Sequence, residues 1–162
     1  MHPELWFSNL PPELATMLLA MLPITELRAS IPIGILYYHL SPWSALIWSF
    51  IGDVIPMILL VNLLGPVSKW LSGKSKTMHK FFDWLFSRTR NRFAKKYEVY
   101  GALALIVFVA IPLPVTGAWT GSVAAFLYGI KPNKSILYIA IGALISGIIV
   151  TLLTVSGKHL FG

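Results

Sequence analysis

Four long stretches with almost no charge organise the chain: residues 13–40, 42–64, 99–130 and 135–157. The second and fourth hold 23 residues each. As helices they reach about 34 Å, enough to cross a hydrocarbon core of roughly 30 Å with modest tilt. The third holds 32 residues, about 48 Å as one helix, too long for one crossing and too short for two. Pro112-Leu113-Pro114, then Gly117 and Gly121, interrupt it in the middle. Proline removes a helical hydrogen bond and glycine permits a tight reversal, so this stretch predicts a re-entrant hairpin. It descends over 100–111, turns over 112–117 and returns to 130. The first stretch has the same design, with Pro23 interrupting it and Pro32 and Gly34 beyond. A single continuous helix over 13–40 would place Glu26 and Arg28 in lipid and two prolines in its interior.

The halves overlay at an offset of 90 residues. Tyr38 then meets Tyr128, Pro42 meets Pro132, Ile51-Gly52 meets Ile141-Gly142, and Ile55 meets Ile145. Each half is a hairpin followed by one crossing, so the second half is inverted relative to the first. Inverted repeats with broken helices are an architecture of secondary transporters. The expected fold is therefore an all-α integral membrane protein, a single domain over 1–162. Repeat one covers 13–64, a basic segment 65–98, and repeat two 99–157.

Composition agrees with the pattern. Hydrophobic residues make up 56% of the chain and charged residues 12%, with a mean hydropathy of +0.74; soluble domains carry roughly 25% charged residues. Of the 13 Lys and Arg, nine lie between Lys69 and Lys96, and Lys131 and Lys134 share another short loop. Basic residues gathered in short loops mark the cytoplasmic side, which accounts for the net charge of +7 without a nucleic-acid partner. With hairpins, segments 65–98 and 131–134 both fall inside and both termini outside, in a multi-pass inner-membrane protein. Four plain spans would force Lys131 and Lys134 outside, against the rule. No Lys or Arg precedes the first apolar run, which argues against a cleaved signal peptide. Between Lys74 and Tyr97, Met78, Phe81, Phe82, Leu85, Phe86 and Phe93 alternate with basic residues at helical spacing. That predicts an amphipathic helix on the inner surface, which either anchors the protein on anionic lipid or also gathers an anionic substrate.

The chemistry concentrates in three residues. Asp53 lies eleven residues from either end of the 42–64 crossing, and Glu26 and Arg28 fall just past the turn of the first hairpin. A central ionisable residue costs about 2.5–3.5 kcal/mol on insertion scales, so such groups are paired, protonated or facing water. Two carboxylates and one arginine leave one negative charge in excess. Either one carboxylate pairs with Arg28 while the other takes up and releases a proton, or Arg28 bridges both and merely fastens hairpin to helix. At the offset of 90, Glu26 maps to Thr116, Arg28 to Ala118 and Asp53 to Ala143, so the second hairpin repeats none of these charges. Pro112, Pro114, Thr116, Gly117, Trp119 and Thr120 there either line a polar cavity or permit close helix packing. Gly73-Lys74-Ser75 lacks the upstream glycine of a phosphate loop. The histidines at 2, 39, 79 and 159 have no ligand spacing, no nucleophile and base are grouped, and the chain has no cysteine. No enzyme activity, metal or cofactor is expected.

The segments ELRASIPIG (26–34) and PLPVTGAWTGS (112–122) resemble the two signature segments of the small multidrug export protein family. That family is similar to the wider DedA superfamily of re-entrant-loop membrane proteins. Gly52-Asp53 and YIAIGALISG (138–147) resemble its first-span Gly-Asp and its final helix. The resemblance implies membrane transport of drug-like compounds or translocation of lipids, with Glu26 and Asp53 as the membrane acidic residues. DedA proteins carry arginines around the second turn, whereas 108–121 here holds no charge, leaving Arg28 as the candidate substitute. The resulting expectation is a proton-coupled transporter of amphipathic drug-like or lipid-like substrates. The alternatives are an uncoupled lipid translocase and a membrane scaffold without transport. With only two full spans, a homodimer is the expected way to enclose a path.

Overall fold

The computed structural model describes residues 10–74, 80, 97–113 and 116–161. Six helices are found there and no strand: α1 (Pro12–Met21), α2 (Glu26–Leu36), α3 (Pro42–Lys74), α4 (Tyr97–Ala110), α5 (Ala118–Leu127) and α6 (Pro132–Phe161). Two of them contain segments long and apolar enough to cross a membrane, Pro42–Trp70 and Pro132–Leu160. Both long helices begin on a proline, where the missing N–H would be unpaired in any case. Ser41 caps α3, its hydroxyl accepting the Ser44 N–H at 3.2 Å. Each helix outruns the apolar stretch that announced it, α3 as far as Lys74 and α6 starting at Pro132 rather than 135. The four shorter helices have 10 to 14 residues, about 15–21 Å. Pro32 sits inside α2 without ending it. The amphipathic helix expected between Lys74 and Tyr97 falls almost wholly outside the described residues.

The helix contacts of the two halves correspond. Helix α1 packs on α3 as α4 packs on α6, α2 on α3 as α5 on α6, and α2 on α6 as α5 on α3, with α3 and α6 against each other between them. The turns into the long helices also correspond. Gly129 closes α5 with φ +69°, donating to Phe126 O while Ile130 N–H donates to Ala125 O, both at 3.0 Å; this is a Schellman stop. Ninety residues earlier His39 has φ +55°, and Leu40 N–H reaches back to Gly34 O at 2.9 Å.

Gly52 and Gly142 make the clearest match. A Cβ on Gly52 would strike the Met17 carbonyl of α1, and one on Gly142 would lie 2.8 Å from the Ile106 carbonyl of α4. In both halves the long helix touches the backbone of the first short helix, an approach only glycine allows. Gly52→Leu is expected to lower stability by about 3 kcal/mol, because backbone must move. Gly65→Leu, with nothing within 4 Å, should not lower it and gains up to about 1 kcal/mol of helix propensity. Unfolding in mixed micelles by titration with SDS compares the two.

The surface is apolar and the interior partly polar. Ile47, Leu59 and Leu63 of α3 and Leu144, Ile148, Leu152 and Leu153 of α6 are exposed. Thr16, Ser30, Ser49, Ser122, Ser135 and Asp53 are buried beside Leu19, Ile31, Met57, Val109 and Ile139. Apolar exposure on this scale suits lipid rather than water, and the chain is a multi-pass membrane protein.

Candidate functional site

The turn of the first helical hairpin, residues 22–25, is held by Thr25, whose hydroxyl donates to the Leu19 carbonyl. Glu26 follows with φ +44°, a left-handed conformation that costs a non-glycine residue on the order of 1–3 kcal/mol and clusters at functional sites. Its N–H still donates to Leu22 O at 3.1 Å. Its side chain crosses to the second hairpin.

There Glu26 Oε1 accepts the backbone N–H of Trp119 at 3.3 Å. Trp119 is the second residue of α5, and its N–H is one of those that an N-cap side chain normally satisfies. The residue in the N-cap position is Gly117, which has no side chain to offer. A Cβ on Gly117 would overlap the Glu26 carboxylate. Glu26 therefore occupies the space of the missing cap and brings negative charge to the positive end of α5.

Arg28 grips the same turn. Its Nη1 donates to the Leu113 carbonyl, its Nη2 donates to Thr116 Oγ1 at 3.1 Å, and Nη2 lies 3.8 Å from Glu26 Oε2. Thr116 Oγ1 is within donating distance of Ile111 O at 2.7 Å and Leu113 O at 2.9 Å. The Ile111 and Leu113 carbonyls after α4 are thus satisfied with help from one guanidinium and one hydroxyl, as backbone away from water requires.

Asp53, on α3, is 1% exposed. Its Oδ1 is buried with no hydrogen-bond partner. The indole Nε1 of Trp119 is likewise buried and unpartnered. One turn from each carboxylate, Ser30 Oγ donates to Ser49 Oγ at 2.8 Å, tying α2 to α3. A cavity of about 540 Å³ opens between the two turns, with Thr25, Glu26, Arg28, Pro112 and Thr120 among its lining. A second cavity of about 440 Å³ lies between α3 near Asn62 and Pro66 and the loop carrying Lys131.

Of the residues singled out in the sequence, Glu26, Arg28, Pro112, Thr116, Gly117, Trp119 and Thr120 come together at this junction. Asp53 stands behind them, and Pro114 lies outside the described residues. Glu26 and Arg28 make their hydrogen bonds to the second hairpin, not to Asp53. Ser30 and Ser49 escaped the sequence reading, although their spacing of four residues from Glu26 and from Asp53 was a signal for them. Among the described residues no three His, Cys, Asp or Glu side chains gather where a metal ion could bind.

A protein-family profile described as "Putative small multi-drug export protein" matches residues 26–149, from the capping carboxylate to the far part of α6. No curated protein and no solved structure matches the chain.

Proposed function

The chain belongs to the small multi-drug export protein family, and from that premise we propose that it is a proton-coupled membrane transporter of amphipathic drug-like or lipid-like compounds. Its two halves form an inverted repeat of re-entrant hairpin plus span. The corresponding helix contacts, the matched glycine approaches and the turns 90 residues apart support this. So do hairpin arms of about 15–21 Å, roughly half to two-thirds of a hydrocarbon core. Repeats of this kind place substrate and coupling sites where the broken helices meet.

The observation that carries the proposal is the junction itself. A carboxylate of one hairpin caps the broken helix of the other, an arginine secures the same turn, and a second carboxylate, its Oδ1 unpartnered, is buried behind both. Ionisable groups held this way inside a membrane bundle mark ion and substrate pathways. Glu26 and Asp53 carry the proton and Arg28 balances their charge, while the cavity between the turns receives the substrate. The basic segment 65–98 and the Lys131–Lys134 loop face the cytoplasm beside anionic lipid, and both termini face outward. Ile24 is 88% exposed and Leu113 55% exposed beside irregular backbone, which lipid does not tolerate. A second copy of the chain covers that side.

The test is flux through purified protein in vesicles. A fluorescent amphipathic dye and a fluorescent phospholipid are followed separately, with and without an imposed pH gradient. Flux of either that rises several-fold under the gradient is the expected result. Equal lipid flux in both conditions would instead make the protein an uncoupled translocase, and no flux of either would make it a scaffold.

A further inference from the structure

The three charged groups at the junction are unequally provided for. Glu26 has the Trp119 N–H and the guanidinium. Arg28 has a carbonyl, a hydroxyl and a carboxylate. Asp53 has a buried Oδ1 with no partner. A buried carboxylate oxygen without a donor is costly to keep ionised, so the arrangement seen is one in which Asp53 is neutral. The same group becomes a strong acceptor once a cation reaches it.

Among the described residues Arg28 is the cation placed to do so. Helix α5 carries no charged residue, and α1 carries only Glu13, in its first turn and away from the hairpin turn. Helix α6 has Lys134 in its first turn and Lys158 and His159 in its last. The Ser30–Ser49 hydrogen bond ties α2 to α3 two residues from Arg28 and one turn from Asp53, and Arg28 borders the cavity of about 540 Å³ rather than being enclosed by packing. What holds it in place is partly Glu26. Once Glu26 is neutral, Arg28 keeps only a carbonyl and a hydroxyl on the second hairpin, and a charged acceptor outweighs those neutral ones.

We infer that Arg28 is a two-position latch: it clamps the second hairpin while Glu26 is ionised and Asp53 carries a proton, and it moves to Asp53 when the proton resides on Glu26. In the change an O–H bond on Asp53 breaks and one on Glu26 forms, so the junction holds one proton and zero net charge in both positions. When Arg28 leaves, the Leu113 carbonyl keeps only the Thr116 groups of its own turn, the bonds from Arg28 across to the second hairpin are lost, the α5 cap weakens to a neutral hydrogen bond, and the hairpin turns separate. The inference rests on the proton-coupled reading of this junction and names its moving part.

The chain has no cysteine, so paired spin labels at Ile24→Cys and Leu113→Cys report the separation of the turns in full-length protein. The protein is held in lipid nanodiscs and diluted with unlabelled copies. Asp53→Asn, which fixes Asp53 neutral, is expected to give the shorter separation alone. Glu26→Gln, which fixes Glu26 neutral, is expected to move most of the population to a longer one. The decisive variant is the double one. With Glu26→Gln and Asp53→Asn together, Arg28 has no carboxylate to move to, and the short separation should return. A double variant as open as Glu26→Gln alone would mean that the cap had only been weakened, and would overturn the latch. Identical distributions in the two single variants would overturn it as well. Flux under a pH gradient, measured in parallel on unlabelled wild type, keeps the two readings apart: coupled flux with no latch behaviour removes the latch alone, and latch behaviour without coupled flux removes the transport reading alone.

Discussion

Replacing Gly117 by alanine is expected to leave the protein folded and inserted while cutting gradient-driven transport about tenfold or more. The backbone at Gly117 has φ 169°, extended geometry open to any residue, so conformation does not demand glycine there. The demand comes from the carboxylate that fills the space of its side chain. A methyl group pushes away only the flexible end of Glu26, a small steric cost, but it removes the cap from α5, worth about 0.5–2 kcal/mol. It also separates Glu26 from Arg28. Gly117→Ser sharpens the comparison, because serine supplies its own cap to α5. Stability should then recover to near the wild-type value while transport stays low. Unfolding and flux measured on both variants separate the role of a helix cap from the role of this carboxylate.

Much of the fold is legible in the sequence because membrane crossing is a matter of length and polarity. Runs of 23 apolar residues announce α3 and α6, and 32 residues with Pro112 and Pro114 in the middle announce two shorter helices. The helix ends are less legible. Composition marks where hydrocarbon contact stops, whereas caps and prolines mark where a helix stops, so α3 continues ten residues beyond the apolar run, from 64 to Lys74.

The membership of the junction was readable too, since charge inside a membrane stretch is rare enough to stand out in Glu26, Arg28 and Asp53. Its wiring was not. The partners of Glu26 and Arg28 lie 85 to 93 residues away and include two backbone groups, which have no residue-type signature. The seat for Glu26 is the absence of a side chain at Gly117, which reads in a sequence as flexibility. Charge counting leaves open whether Arg28 pairs with one carboxylate or bridges both, and it does not show that a helix N-terminus competes for a carboxylate as a positive charge does.

The two carboxylates should fail in different ways from a structural pair. Removing one member of a buried, mutually dependent ion pair costs about 3–5 kcal/mol, because the partner charge is left unpaired. Asp53 makes no hydrogen bond through its buried Oδ1 among the described residues, so Asp53→Asn should unfold no more easily than wild type. Glu26→Gln keeps a carbonyl oxygen for the Trp119 N–H and should lose no more than about 1–2 kcal/mol. Both are expected to abolish the response of transport to a pH gradient. The most direct measurement is therefore flux of the transported amphipath in vesicles of Glu26→Gln and of Asp53→Asn, with and without the gradient, on protein shown to elute and unfold normally. Loss of the gradient response in each variant is the predicted result; full gradient-driven flux in both would contradict the assignment of these carboxylates as the proton carriers.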